Sequence, residues 1–214
     1  MKYILLAGCL LALLAPAAFA AEGGFYLTLH GGAAMVDDVE NDSDDGTFNF
    51  SFDPGWQAGA ALGYDLRDAY PNIGSGRVEM EFNWRQNELD EADFKSGDIA
   101  GSGSITAASV MFNTIGEYRG NLPWITYVGL GAGATRITLD DLRVADSSLA
   151  DDDDIVFAWQ VLAGVARQLT PRLYLDLGYR YFAALDPEFT DANGEDFESE
   201  YVTHNLTLGL RMDF

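Results

Sequence analysis

Arg77, Glu79, Glu81 and Arg85 lie on one parity of a short stretch, with Val78, Met80, Phe82 and Trp84 on the other. Carboxylates and guanidiniums spaced by two share one face of a β-strand, where they can pair with each other or with charges on neighbouring strands. A second kind of chemistry is offered by oxygen-rich runs. Asp42, Asp44 and Asp45 in Asn41–Gly46, and the run Asp151, Asp152, Asp153 and Asp154, are hard ligands of the kind that hold Ca²⁺ or Mg²⁺. Neither run has complete EF-hand spacing, because the twelfth position counted from Asn41 is Phe52. Nucleophilic chemistry has little to work with. There are two histidines, His30 and His204, and one cysteine, Cys9, near the N-terminus.

Composition narrows the setting. The chain has 34 Asp+Glu against 12 Lys+Arg, a formal net charge of −22. Such acidity excludes nucleic acid as a partner. Residues 1–20 read as a secretory signal peptide. Lys2 gives the positive start, Ile4–Leu14 the apolar stretch, and Ala18-Phe19-Ala20 the small-x-small cleavage site. Cleavage after Ala20 removes Cys9, so the mature chain, 21–214, has neither disulfide nor thiol chemistry. Leu6-Ala7-Gly8-Cys9 also spells a lipoprotein box, but it leaves almost no apolar stretch before it. No later segment is apolar for long enough to cross a membrane as a helix, so any crossing uses strands.

Eight strands position the charged residues. Period-two patterns run over about Gly24–Met35, Gly55–Leu66, the stretch around Arg77–Arg85, Ser104–Tyr118, Trp124–Leu139, Ile155–Arg167, Leu173–Leu185 and Tyr201–Phe214. Long connections follow the odd strands: Asp37–Asp53, Asn87–Gly103, a third ending in Asp151–Asp154, and Asp186–Glu200. These four hold 26 of the acids, and solvated, irregular loops are expected there. Short connections follow the even strands, the longest being Arg67–Ser75, and hold Arg67, Arg119, Arg167 and Arg172. Alternation of long and short connections is the mark of an up-and-down barrel with one elaborated rim.

The faces identify the solvent. One side of every strand is apolar and carries Phe25, Trp56, Tyr64, Trp84, Phe112, Trp124, Phe157, Trp159, Tyr179, Tyr181 and Phe214, several near strand ends, like aromatic girdles. The other side carries Asp65, Arg77, Glu79, Glu81, Arg85, Glu117, Asp176, Arg180, Arg211 and Asp213, among them His30, Asn113, Tyr127, Gln160 and Asn205. An eight-stranded barrel has an interior just wide enough for side chains to fill. Near-balanced ions there can pair, as their burial requires, and interior glycines leave room for the arginines. The fold class expected is all-β: an eight-stranded antiparallel transmembrane β-barrel with four long acidic external loops.

Gly24-Phe25-Tyr26-Leu27, Met111-Phe112-Asn113, Pro123-Trp124 before a Gly-x-Gly-x-Gly run, Leu177–Tyr181 and the terminal Leu208–Phe214 together span the mature chain. In that order they resemble the small outer-membrane β-barrel superfamily of opacity-type surface proteins and the transmembrane domain of outer-membrane protein A. The resemblance implies a place in the outer membrane of a diderm bacterium, with its lipid and lipopolysaccharide as partners. It also implies recognition by the barrel-assembly machinery, for which Leu208, Leu210, Met212 and Phe214 match the alternating signal with a final aromatic. Lipid A-modifying barrels use a histidine and a serine. Here His30 has interior parity, and His204 is followed by Asn205 with no serine two residues on. The expectation is a non-enzymatic surface protein with no cofactor, save Ca²⁺ or Mg²⁺ at the acidic loops, and a surface ligand as the alternative role.

Overall fold

The computed structural model describes residues 24–37, 39–43, 46–66, 75–94, 97–120, 123–144, 147–185, 187–190 and 196–214, and gives the backbone alone for 39–43, 46–52, 89–94, 97–101, 141–144, 147–151, 190 and 196–199. The signal segment, Asp44 and Asp45 lie outside these residues.

Among the described residues twelve strands occur in chain order: β1 (Phe25–Val36), β2 (Val39–Ser43), β3 (Gly46–Phe52), β4 (Gly55–Asp65), β5 (Gly76–Phe94), β6 (Gly97–Arg119), β7 (Trp124–Val144), β8 (Ser147–Thr170), β9 (Leu173–Ala184), β10 (Glu188–Thr190), β11 (Asp196–Ser199) and β12 (Tyr201–Asp213). Eight of them close on themselves in the order β5-β4-β1-β12-β9-β8-β7-β6, with β6 pairing back to β5. Every pairing in the ring is antiparallel. Closure matters because hydrocarbon offers no hydrogen bonds, and an open sheet edge there would leave a row of peptide groups unsatisfied. The first and last strands complete the ring, and the Phe214 amide donates to the Phe25 carbonyl at 2.9 Å.

The apolar parity faces outward. Phe82 is 51% exposed, and Leu130, Phe112, Leu177, Leu208 and Leu210 are exposed in the same way. The charged parity faces inward, with Arg77, Glu79, Glu81, Arg85, Glu117, Arg180 and Arg211 all buried. Phe25 and Tyr64 meet edge to face (centroids 4.9 Å apart) at the end with the short connections, which by the usual orientation of such barrels faces the periplasm. Trp159, Tyr181 and His204 gather toward the other end.

Two expectations need correction. Much of the long acidic segments is ordered strand rather than irregular loop. β5 and β6 stay paired out to Phe94 and Gly97, and β7 and β8 out to Val144 and Ser147. These four strands have 19 to 24 residues, whereas a tilted crossing needs about ten. Their surplus, on the order of 30 Å along the strand, projects beyond the bilayer. In the first segment β2 and β3 form a hairpin whose second strand joins the edge of β5. Thr47-Phe48-Asn49-Phe50-Ser51-Phe52 already alternates in sequence, a strand signal masked by the acids before it.

The second correction concerns the interior glycines, which make room for ring and amide side chains rather than for arginines. Tyr26 stands opposite Gly63 and His30 opposite Gly59. Asn113 likewise faces Gly131, and Tyr127 faces Gly164. At each of these glycines an added Cβ would run into the facing side chain.

Candidate functional site

The bore is filled in layers. At the periplasmic end Ile125, Ala166 and Tyr174 form an apolar base. Above it Glu117 gathers three guanidiniums: Arg77 from the adjacent β5, Arg119 from its own strand, and Arg211 (2.9 Å) from β12 on the opposite wall. Arg119 also reaches Asp65 at 3.4 Å. Sequence reasoning put Arg119 in a turn. Because β6 continues to that residue, it belongs to the ion network. Arg211 stacks on Tyr174 (4.1 Å to the centroid) and Arg77 on Tyr127 (4.9 Å), so aromatic faces supplement the carboxylates.

The middle layer is built on Glu81, which pairs with Arg180 across the bore. The Asn113 amide donates to Glu81 at 2.7 Å and to Glu79 at 3.1 Å. Gln160 donates to Asn113 at 2.8 Å. Tyr26 donates its hydroxyl proton to Glu79 (2.9 Å), and Tyr127 donates to Asp176 (2.8 Å). Removing an ion from water costs several kcal/mol even after relaxation. The layer offsets that cost by giving each carboxylate here at least one donor. His30 is held here too, 2.9 Å from the Asn83 amide nitrogen and 3.8 Å from Glu81, as expected for an interior histidine.

The outer layer departs from the expected polar lumen. Arg85, fully buried, donates to Ser109 at 2.9 Å and lies 4.0 Å over the Phe182 ring. Beyond it Ile105, Ala107, Ile137, Leu139, Phe182 and Tyr201 are all buried, and Phe182 meets Tyr201 edge to face. The paired ions therefore occupy the lower and middle bore, and the outer part is filled largely by apolar side chains, with Arg85, Asn87 and Thr203 buried there too. The ladders explain it: on the inward parity of β6, β7 and β9 the polar residues give way to Ala107, Ile137 and Phe182 toward the outer end.

On the outer surface His204 accepts from or donates to the Tyr179 hydroxyl (2.5 Å) through Nδ1 and lies 3.2 Å from Asp37 through Nε2. Arg136 has outward parity near the outer end of β7 and makes a two-point pair with Asp153 at 2.8 and 2.9 Å. It was missed in the sequence because it follows an apolar run on the lipid face. Within Asp151–Asp154 the strand sends Asp153 outward and its neighbours to the opposite face, so the run does not converge on one point. Asp42 lies in β2. Among the described residues no three His, Cys, Asp or Glu side chains are grouped to hold a metal ion. Leu208, Leu210 and Met212 are exposed on the lipid face, with Phe214 at its lower margin.

The model of the outer membrane protein beta-barrel domain matches residues 5–214. The chain belongs to that family. It is accordingly a protein of the cell outer membrane. No curated protein matches it in sequence. Among solved structures, Neisserial surface protein A is similar at 20% identity and TM-score 0.55, over 89% of this chain and 97% of that one. OprG of Pseudomonas aeruginosa is similar at 13% identity and TM-score 0.59, over 90% and 98%. The outer-membrane protease OmpT of Escherichia coli is similar at 9% identity and TM-score 0.52, over 89% and 97%. These likenesses establish the shared barrel. In this chain the strand pairs β5–β6 and β7–β8 continue past the length of a tilted crossing, and the segments they carry are acidic.

Proposed function

We propose that this family member is a non-enzymatic surface protein that contributes to envelope structure, with the barrel as anchor and the acidic outer strands as its working surface. The observation that carries this reading is the filled bore. Arg180–Glu81 and Arg211–Glu117 span it, and the Phe182–Tyr201 layer lies above them. A bore so occupied favours action at the rim over transport through the wall. At the rim, carboxylates and lipopolysaccharide phosphates would be bridged by Ca²⁺ or Mg²⁺, for which Asp42, Asp44, Asp45 and Asp151–Asp154 supply hard oxygen donors. The terminal Leu208, Leu210, Met212 and Phe214 would serve the barrel-assembly machinery as its recognition signal.

The test is replacement of Asp37–Asp53 and Asp186–Glu200 by short turns, with heat-modifiable gel mobility confirming that the barrel still folds. Increased sensitivity of cells to detergent and chelator supports the envelope role. An unchanged envelope, with binding to cells or matrix abolished, favours instead the adhesive alternative. A protease on the same fold makes the enzymatic alternative worth a direct check. Lipid A mass spectra and peptide cleavage that do not differ with and without the protein would remove it.

A further inference from the structure

A cleft of about 570 Å³ opens at the outer end of the β4–β5 pair, lined by Asp53, Pro54, Gly55, Trp56, Gln86 and Glu88. It arises from an irregularity shared by three strands. The β3–β5 register shifts at Ser51/Phe52, and the β5–β6 register shifts between Glu88 and Glu91. Bulges of this kind bend the strand and re-aim its side chains. Its walls are fixed: the Asp53 amide donates to the Glu88 carbonyl at 3.0 Å, and buried Asn87 donates its side-chain amide to the Asp53 and Ala34 carbonyls. Trp56, in register with Gln86, is 50% exposed.

We propose that this cleft binds an organic ammonium ion, a primary or quaternary amine. Three features select that class. Asp53 and Glu88 are exposed carboxylates with no cationic partner among the described residues, so the cleft is negative. The exposed indole supplies a π-face, which attracts amine cations and is a recurrent element of quaternary-ammonium sites. The volume falls in the range of small-molecule sites and is too large for a bare metal ion, which in any case needs six to eight oxygens, roughly, where the indole provides none. The surrounding acidic rim concentrates cations at the entrance. The inference deepens the surface-ligand reading, resting on this rim lying outside the cell, and names a ligand class for it.

The experiment uses ¹⁵N-labelled full-length mature protein refolded in detergent micelles, with the Trp56 indole N–H followed by NMR during titration with tetramethylammonium chloride at constant ionic strength. The expected result is a saturable shift of Trp56, with affinity about tenfold weaker in Trp56→Leu, followed there on neighbouring amides. Affinity is retained in Trp56→Phe, and it is weakened in the Asp53→Asn/Glu88→Gln double variant but not in Glu200→Gln. All variants are first shown to be heat-modifiable. A shift that NaCl reproduces, or one that the double variant leaves unchanged, overturns the proposal. Nanodiscs distinguish the source. A Trp56 resonance already displaced in phosphatidylethanolamine, relative to phosphatidylglycerol, identifies a lipid headgroup as the amine. Identical resonances with retained tetramethylammonium binding identify a free amine. Both outcomes are independent of the envelope phenotype.

Discussion

Arg180 and Glu81 stand on opposite walls of the barrel, β9 and β5, four strands apart in either direction around the ring, and their side chains meet in the middle of the bore. They are separated by 99 residues in sequence. The pair braces two walls that share no backbone hydrogen bond. It also sets the electrostatic balance of the middle layer, since His30, Asn113 and Gln160 are arranged around the same carboxylate.

Breaking that brace on one side is expected to destabilise the barrel strongly. Glu81→Ala leaves a buried guanidinium without its carboxylate, and the expected loss is about 3–5 kcal/mol. Removing Arg180 as well should recover part of it, because the uncompensated charge goes too. A double-mutant cycle on urea-unfolding midpoints in lipid vesicles measures the coupling. Additive single effects would contradict the pairing.

Glycine substitutions should separate the two faces of the wall. Gly164→Ala puts a methyl group against the Tyr127 ring, an overpacking expected to cost about 1–3 kcal/mol. Gly116→Ala, on the outward face with the nearest atom 3.9 Å away, should change stability little. The same unfolding assay reads both, and equal costs would mean that the interior is looser than the Gly–Tyr register implies.

Conductance should require more than the middle and outer layers to be opened. In planar bilayers the native protein is expected to give no sustained open level. Neither Phe182→Ala nor the Glu81→Ala/Arg180→Ala pair should create one, and nor should the triple variant, because the Glu117 cluster and the Ile125–Ala166–Tyr174 base still obstruct the lower bore. Steady channel openings from the native protein would show that the bore is not closed.

The terminal strand allows assembly to be distinguished from lipid contact. Leu208→Arg places a charge on the lipid face near the middle of β12, with an expected cost of about 2–4 kcal/mol if it lies at the midplane. It should impair folding both in vesicles and in cells. Phe214→Ala lies at the margin and should fold normally in vesicles. If the final aromatic is an assembly determinant, this variant should nevertheless accumulate less in the outer membrane, as measured by the heat-modifiable fraction from cell envelopes.

What the sequence determined by itself is the sidedness of the wall. A strand's period of two is local, so Val78, Met80, Phe82 and Trp84 had to oppose Arg77, Glu79, Glu81 and Arg85 whatever the partners. The same pattern over eight segments, with long and short connections alternating, was enough for a closed barrel with ions inside and acyl chains outside. What only the tertiary structure decided is which residues meet. Register pairs Tyr127 with Gly164. Closure and stagger bring Arg180 to Glu81 and three arginines to Glu117. The change from ions to Phe182 and Tyr201 along the bore depends on the relative height of strands far apart in the chain. Residue types fix the face a side chain leaves by, but its neighbours across a closed cylinder are set by strand order and shear, and neither is written in any one segment.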